Sequence, residues 1–317
     1  MRRAFPLIQY GITDAPVLVQ MVMFSGIIAG DNGWLVGGAS VLAKNIERRF
    51  IDLGGEVFYG KKVEKIIVKD GKAVGVRLTD GTERFADLVI SNADGHATIY
   101  EMLEGKYVNP MINSYYNEWV PDKQEFGLEI FFGVAMDVSA EPHAIALLLD
   151  EPIDVEGRKF DRLDIEVFKK EMGVAPEGKT VIKVVFSSRY QYWSELRKDK
   201  GMYDAQKKAI ADAVAKRLEK RFPGLCSQIE AVDVITPVTS ERFLGAYRGL
   251  QSWPPKIGMK ELMKDGVSKT LPGLGNFHMV GQYAFGMVGL MTAALGGRNL
   301  VKEICKTDGK PFVTDRT

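Results

Sequence analysis

At 317 residues the chain has room for about two domains and a sizeable buried core. With 46% hydrophobic and 26% charged residues it is an ordinary globular sequence, which excludes a disordered chain, a collagen and a polytopic membrane protein. Forty-two Lys and Arg against 41 Asp and Glu leave +1, no net field for nucleic acid or an anionic membrane, and two cysteines (Cys226, Cys305) exclude a disulfide scaffold.

Near the start, Val17–Ala29 is an apolar stretch of 13 residues interrupted by Gln20 and Ser25, short of the ~20 a membrane helix needs. Arg2 and Arg3 imitate a signal peptide, but Pro6, Asp14 and Pro16 intervene and no small-residue cleavage site follows. A cytoplasmic protein is therefore expected, with no transmembrane segment and peripheral membrane contact left open.

From Ser40, a good N-cap residue, Val41, Leu42, Ile46, Phe50 and Leu53 recur at helical spacing until Gly54-Gly55 stops them. Glu56–Tyr59 reads as a short strand. Val63–Val68, Lys72–Leu78 and Thr82–Phe85 alternate in polarity and are joined by Asp70-Gly71 and Asp80-Gly81, which predicts a three-stranded meander. Asp87–Ser91 reads as a buried strand running into the loop Asn92-Ala93-Asp94.

Phe126–Ala135, Ala144–Leu149 and Thr180–Phe186 then read as strands of a second sheet, with a charged, loop-rich segment around 150–179. In Tyr203–Phe222 the stripe Ile210, Val214, Leu218, Phe222 predicts a surface helix, ended by Pro223-Gly224. A strand over Ile229–Ile235 follows, then one at Gly275–Gly281, and a helix over Ala293–Ile304 closes the chain.

His96, His143 and His278 lack metal-ligand spacing, and no Ser-nucleophile elbow, phosphate-binding loop or internal repeat occurs, so no metal site is expected. The informative segment is Val280–Arg298. There a strand ends at Gly281, glycines 286 and 289 admit close backbone approach, and a helix begins near Leu290. Such a helix start favours anionic or electron-rich groups, and Gln282 could hydrogen-bond a sugar-alcohol hydroxyl. A tightly packed structural turn is the competing reading. Tyr190–Trp193 reads as a packing cluster, Tyr247 and Arg248 as a turn near the site, and Glu241 with Arg242 as a surface ion pair.

Four segments carry a resemblance. They are Gly37–Ala43 with Leu53–Val63; the turn Ser91-Asn-Ala-Asp94; Arg221–Leu225 with Thr236–Phe243 and Gly245–Gly249; and Gly281–Arg298. In this order the chain resembles the carboxy-terminal part of the flavin-dependent phytoene desaturase, carotenoid isomerase and retinol saturase group. The resemblance implies an α/β fold with an α+β insertion: a partial FAD/NAD(P)-binding domain of the glutathione-reductase kind plus a sheet-rich substrate domain. Residues 1–36 would be a remnant of substrate-domain helices, 37–105 and 271–317 the partial FAD-binding domain, and 106–270 the substrate domain.

The same resemblance implies FAD as cofactor and an apolar, isoprenoid or polyene substrate. Val63 would lie beside the adenine through its backbone, and Asn92 and Ala93 would border the dinucleotide. Gly281 and Gln282 would hold the ribitol and pyrophosphate, Gly289, Leu290 and Met291 would face the flavin's electron-accepting edge, and Tyr247 would lie toward the substrate. No acid–base pair is identified.

Two departures stand out. The Gly-x-Gly-x-x-Gly unit that holds the ADP half of such cofactors is absent from the sequence, and Met287, Val288 and Met291 replace the group's glycines and proline. Two readings therefore remain. One is part of an FAD-dependent oxidoreductase, with a second chain or a homo-oligomer completing the cofactor site. The other is a non-catalytic binding subunit or truncated copy.

Overall fold

The computed structural model describes residues 21, 25–26, 28–30, 35–117, 126–138, 140–168, 170–249, 269–285 and 289–314. Its first half contains α1 (Ala39–Asp52), β1 (Val63–Lys69), β2 (Lys72–Leu78), β3 (Glu83–Phe85), β4 (Val89–Ser91), a π-helical turn (Ala97–Met102), α2 (Pro110–Asn117) and β5 (Phe126–Val134). There follow β6 (Ala144–Val155), β7 (Arg158–Val167), β8 (Thr180–Ser188), α3 (Tyr190–Leu196), α4 (Lys200–Arg221) and β9 (Ile229–Ile235). The chain closes with α5 (Pro237–Leu244), β10 (Phe277–Met279), α6 (Gln282–Phe285) and α7 (Leu290–Thr307). The fold is α/β with a sheet-rich part, and it divides into Met1–Val57 with Glu125–Val238, and Phe58–Gln124 with Thr239–Thr317.

The first unit is built on a five-stranded antiparallel sheet in the order β6-β7-β8-β5-β9. Leu128, Ile130 and Phe132 of β5, Leu163 and Ile165 of β7, and Ile182 and Val184 of β8 alternate inward and are fully buried. Onto this core α4 lays Ile210, Val214 and Leu218, with Phe222 just beyond its end, so the predicted stripe is the packed face. Burying each such side chain contributes about 1.5–3 kcal/mol. The Asp199 side chain caps α4 by accepting the Met202 N–H at 3.0 Å.

Three local expectations are corrected. The segment 150–179 is not loop-rich, because β6 continues to Val155 and β7 fills Arg158–Val167. Charged residues fill six of the ten β7 positions and stand on both faces, so the alternation shows only at Leu163, Ile165 and Val167. Glu56–Tyr59 forms no strand: Val57, Phe58 and Tyr59 are exposed and pair with no strand among the described residues. Helix α1 begins at Ala39 on Gly38, with no side-chain cap, so Ser40 lies inside it.

The turn between β6 and β7 is Glu156-Gly157, both with positive φ (58° and 74°), the left-handed geometry of a two-residue hairpin. Its Glu156 carboxylate is fully buried. It accepts from Trp193 Nε1 at 2.7 Å, from the Arg189 N–H at 3.1 Å, from Arg158 at 3.1 Å and from the Ser188 hydroxyl. Trp193 is the innermost part of the predicted aromatic cluster and packs in the core.

In the second unit β1, β2 and β3 form the predicted antiparallel meander, turned at Asp70-Gly71. Strands β4 and β10 pair in parallel, Val89 opposite Phe277 and Ser91 opposite Met279. Gly275 joins the two pieces, donating to Gly71 O at 2.8 Å and accepting from Ala73 N at 2.9 Å. Ile66, Ala73, Val89, Ile99, Ile112, Phe277 and Met279 make one core beneath.

Candidate functional site

Parallel strands leave a crevice beyond their carboxyl ends, where α/β sheets place ligands. Here that edge is Ser91-Asn92-Ala93-Asp94 on one side and Met279-Val280-Gly281-Gln282 on the other. Val280 N donates to Ser91 O at 2.9 Å, carrying the pairing one step past β10. Gly281 then turns with φ 78°, and a Cβ at this position would stand 2.1 Å from Asn92 Oδ1. The positive φ is what favours glycine here, and the Asn92 side chain lies over its open Cα.

The predicted cofactor residues distribute as follows. Asn92 and Ala93 are exposed on the loop after β4, Gly281 is buried at the turn, and Gln282 is half-buried at the first position of α6. These four share one edge. Gly289, with φ 122°, is the N-cap of the 18-residue α7, Leu290 is its exposed first residue, and Met291 follows in the same turn. No side chain caps that helix start, and a helix start carries the positive end of the helix dipole. Val63 stands apart at the start of β1, half-buried and paired with Leu78. Gly286, Met287 and Val288 lie outside the described residues.

Tyr247 is brought to the same loop. Its N–H donates to Asp94 Oδ2 at 3.0 Å, while Asp94 Oδ1 accepts from Ala97 N at 2.9 Å. One buried carboxylate thus ties the exit of β4 to a turn 153 residues later. The Tyr247 ring lies flat on His96, with centroids 3.7 Å apart and planes 6° from parallel. Tyr100 and Tyr116 close on His96 at 5.0 and 5.5 Å. Arg248 follows Tyr247 in the left-handed region (φ 54°), its N–H held by Glu241 Oε1 at 3.2 Å. Glu241 therefore serves the turn.

Burial dominates the electrostatics. It raises the Asp94 carboxyl above the usual range, opposed by the Ala97 and Tyr247 N–H groups, and it lowers His96, opposed by Asp94 and Glu101. His96 Nδ1 is buried and makes no hydrogen bond among the described residues; the Glu101 carboxylate stands 3.6 Å away. Asp94, His96, Tyr100 and Tyr116 were missed as site residues in the sequence. Asp94 three positions before Ala97, ahead of Ile99 and Leu103, was a legible N-cap signal. No local spacing announces the stack on Tyr247.

The close approach at Gly281, the parallel strand ends and the helix beginning at Gly289 together fit the flavin-side half of a dinucleotide cofactor. Among the described residues no grouping of His, Cys, Asp and Glu could hold a metal ion, and no helix is long and apolar enough to cross a membrane.

Comparison with known proteins identifies the family. Residues 19–113 match the family model described as flavin containing amine oxidoreductase. The chain is 31% identical over 277 residues to a chloroplastic prolycopene isomerase of Arabidopsis thaliana, covering 84% of this chain and 44% of that protein. It is 25% identical over 240 residues to the all-trans-retinol 13,14-reductase of Danio rerio, covering 67% and 39%. A neurosporene-forming phytoene desaturase of Rhodobacter capsulatus is 39% identical over 74 residues, 23% of this chain and 14% of that one. The chain spans less than half the length of these relatives. It is thus a relative of the FAD-dependent phytoene desaturase, carotenoid isomerase and retinol saturase group, and FAD is the cofactor to which its fold corresponds.

Proposed function

We propose that this chain is the flavin-edge and substrate part of an oxidoreductase acting on an apolar, conjugated isoprenoid. The observation that carries the reading is the parallel edge where Gly281 and Asn92 meet, next to the Asp94–Tyr247 link. When bound, FAD supplies hydride uptake or return.

In this reading the backbone of Val63 lies beside the adenine, and Asn92 and Ala93 border the dinucleotide. Gly281 and Gln282 hold the ribitol and pyrophosphate. Gly289, Leu290 and Met291 present the start of α7 to the flavin ring, where the helix dipole favours added negative charge. Tyr247 faces the substrate as a flat, half-buried ring. The sequence has no Gly-x-Gly-x-x-Gly unit, so the residues that would hold the adenosine half are not among these 317.

The test is the visible absorption of the purified chain after exposure to FAD and removal of the excess. Bound flavin is expected, and L290E, an exposed position that places a negative charge at the helix start, should weaken uptake severalfold. A chain that stays colourless, alone and with candidate partner chains, overturns the reading.

A further inference from the structure

Hydride transfer to or from a hydrocarbon leaves a proton to be placed, and the sequence offered no group for it. The loop after β4 does. His96 immediately precedes the π-helical turn, an element that recurs at functional sites, and lies flat on Tyr247. Its surroundings contain Asp94 from the loop, Glu101 and Tyr100 from the π-helical turn, Tyr116 from α2, and Tyr247 and Arg248 from the turn after α5.

Most of these groups are engaged. Both Asp94 oxygens accept N–H groups, and the Tyr100 hydroxyl donates to Asn113 Oδ1 at 3.0 Å. His96 retains a ring nitrogen without a hydrogen bond among the described residues.

We propose that His96, stacked on Tyr247 beyond the carboxyl end of β4, is the proton acceptor of the site. The proposal rests on the polyene oxidoreductase reading. In desaturation a bound oxidised flavin would take up the hydride of one substrate C–H bond. The neighbouring C–H bond breaks and its proton passes to an imidazole nitrogen, and that bond's electron pair becomes the second bond of the new C=C. In saturation the imidazolium returns the proton. Burial keeps His96 neutral near pH 7, the form that can accept.

The test is nitrogen-15 NMR of the histidine rings in the full chain, with and without 2,4-hexadien-1-ol, a water-soluble conjugated diene. H96F keeps an aromatic ring against Tyr247 and identifies the His96 signals by their loss. Expected are a neutral His96 at pH 7 and ring-nitrogen shifts on adding diene, with His143 and His278 unmoved. A charged ring at pH 7, or a neutral ring indifferent to saturating diene, overturns the proposal.

In the FAD-loaded protein turning over a polyene, H96F should lower kcat about 10²- to 10⁴-fold at unchanged flavin content. A kcat within about threefold of wild type also overturns it. Failure to take up flavin defeats the oxidoreductase reading but leaves the diene result standing, so the two failures are told apart.

Discussion

Asp94 is small on the surface and central in the wiring. Removing its carboxylate in D94A leaves the N–H groups of Ala97 and Tyr247 buried without an acceptor, a loss of about 1–3 kcal/mol for each such group. D94N keeps one acceptor oxygen and should fall between D94A and wild type in urea denaturation. The pH dependence separates the two titrating neighbours. His96 and His278 are both lowered by burial from 6.5, so the stability they contribute is whole above 6.5 and is lost as pH falls through their folded values. Asp94 is raised from 3.8, so its contribution is whole below 3.8 and is lost as pH rises through its folded value. Melting curves from pH 7 to 5 should show wild type losing more stability than H96F or H278F; equal slopes would refute this. The loop at Asn92-Ala93 and the turn at Gly281 were legible because turn chemistry is local. The Asp94–Tyr247 bond was not, since a carboxylate reaching across 153 residues leaves no trace in spacing.

Among the elements, legibility followed how cleanly a period showed through composition. Helix α4 was readable because Ile210, Val214 and Leu218 stand four apart and all are buried. L218A should cost about 2–5 kcal/mol, the range for a leucine removed from a packed core. Strand β7 was misread because charged residues dominate its ten positions, although its last three alternate inward positions are fully buried. The β6–β7 turn makes a sharper test. Glu156 sits in a left-handed conformation that costs a non-glycine residue energy, and four donors from β7, β8 and α3 hold it. E156A would remove the shared acceptor of Arg158, Ser188, the Arg189 N–H and Trp193 Nε1 and should destabilise by about 3–5 kcal/mol in urea titration. E156Q, which keeps the acceptor oxygen, should lose less. Equal losses would mean that the retained neutral oxygen contributes nothing and that the charge is what the site requires.

Across the whole molecule, the apolar stripe of α1 is the clearest mismatch between sequence and burial. Val41, Ile46, Phe50 and Leu53 form the apolar stripe of an amphipathic helix, yet no residue of α1 is buried. Such a face promotes association. Sedimentation should show concentration-dependent self-association that the double variant I46K/F50E relieves; a wild type monomeric at all concentrations would contradict it. The parallel pairing of β4 with β10 has a kinetic consequence. Ser91 and Met279 meet across about 190 residues, and closing a loop of that length costs on the order of 4–5 kcal/mol of chain entropy. The meander and the five-stranded sheet close shorter loops and can form first. During synthesis the crevice cannot exist until residue 279 has left the ribosome, so capacity to bind at this edge should return late in refolding, after most secondary structure.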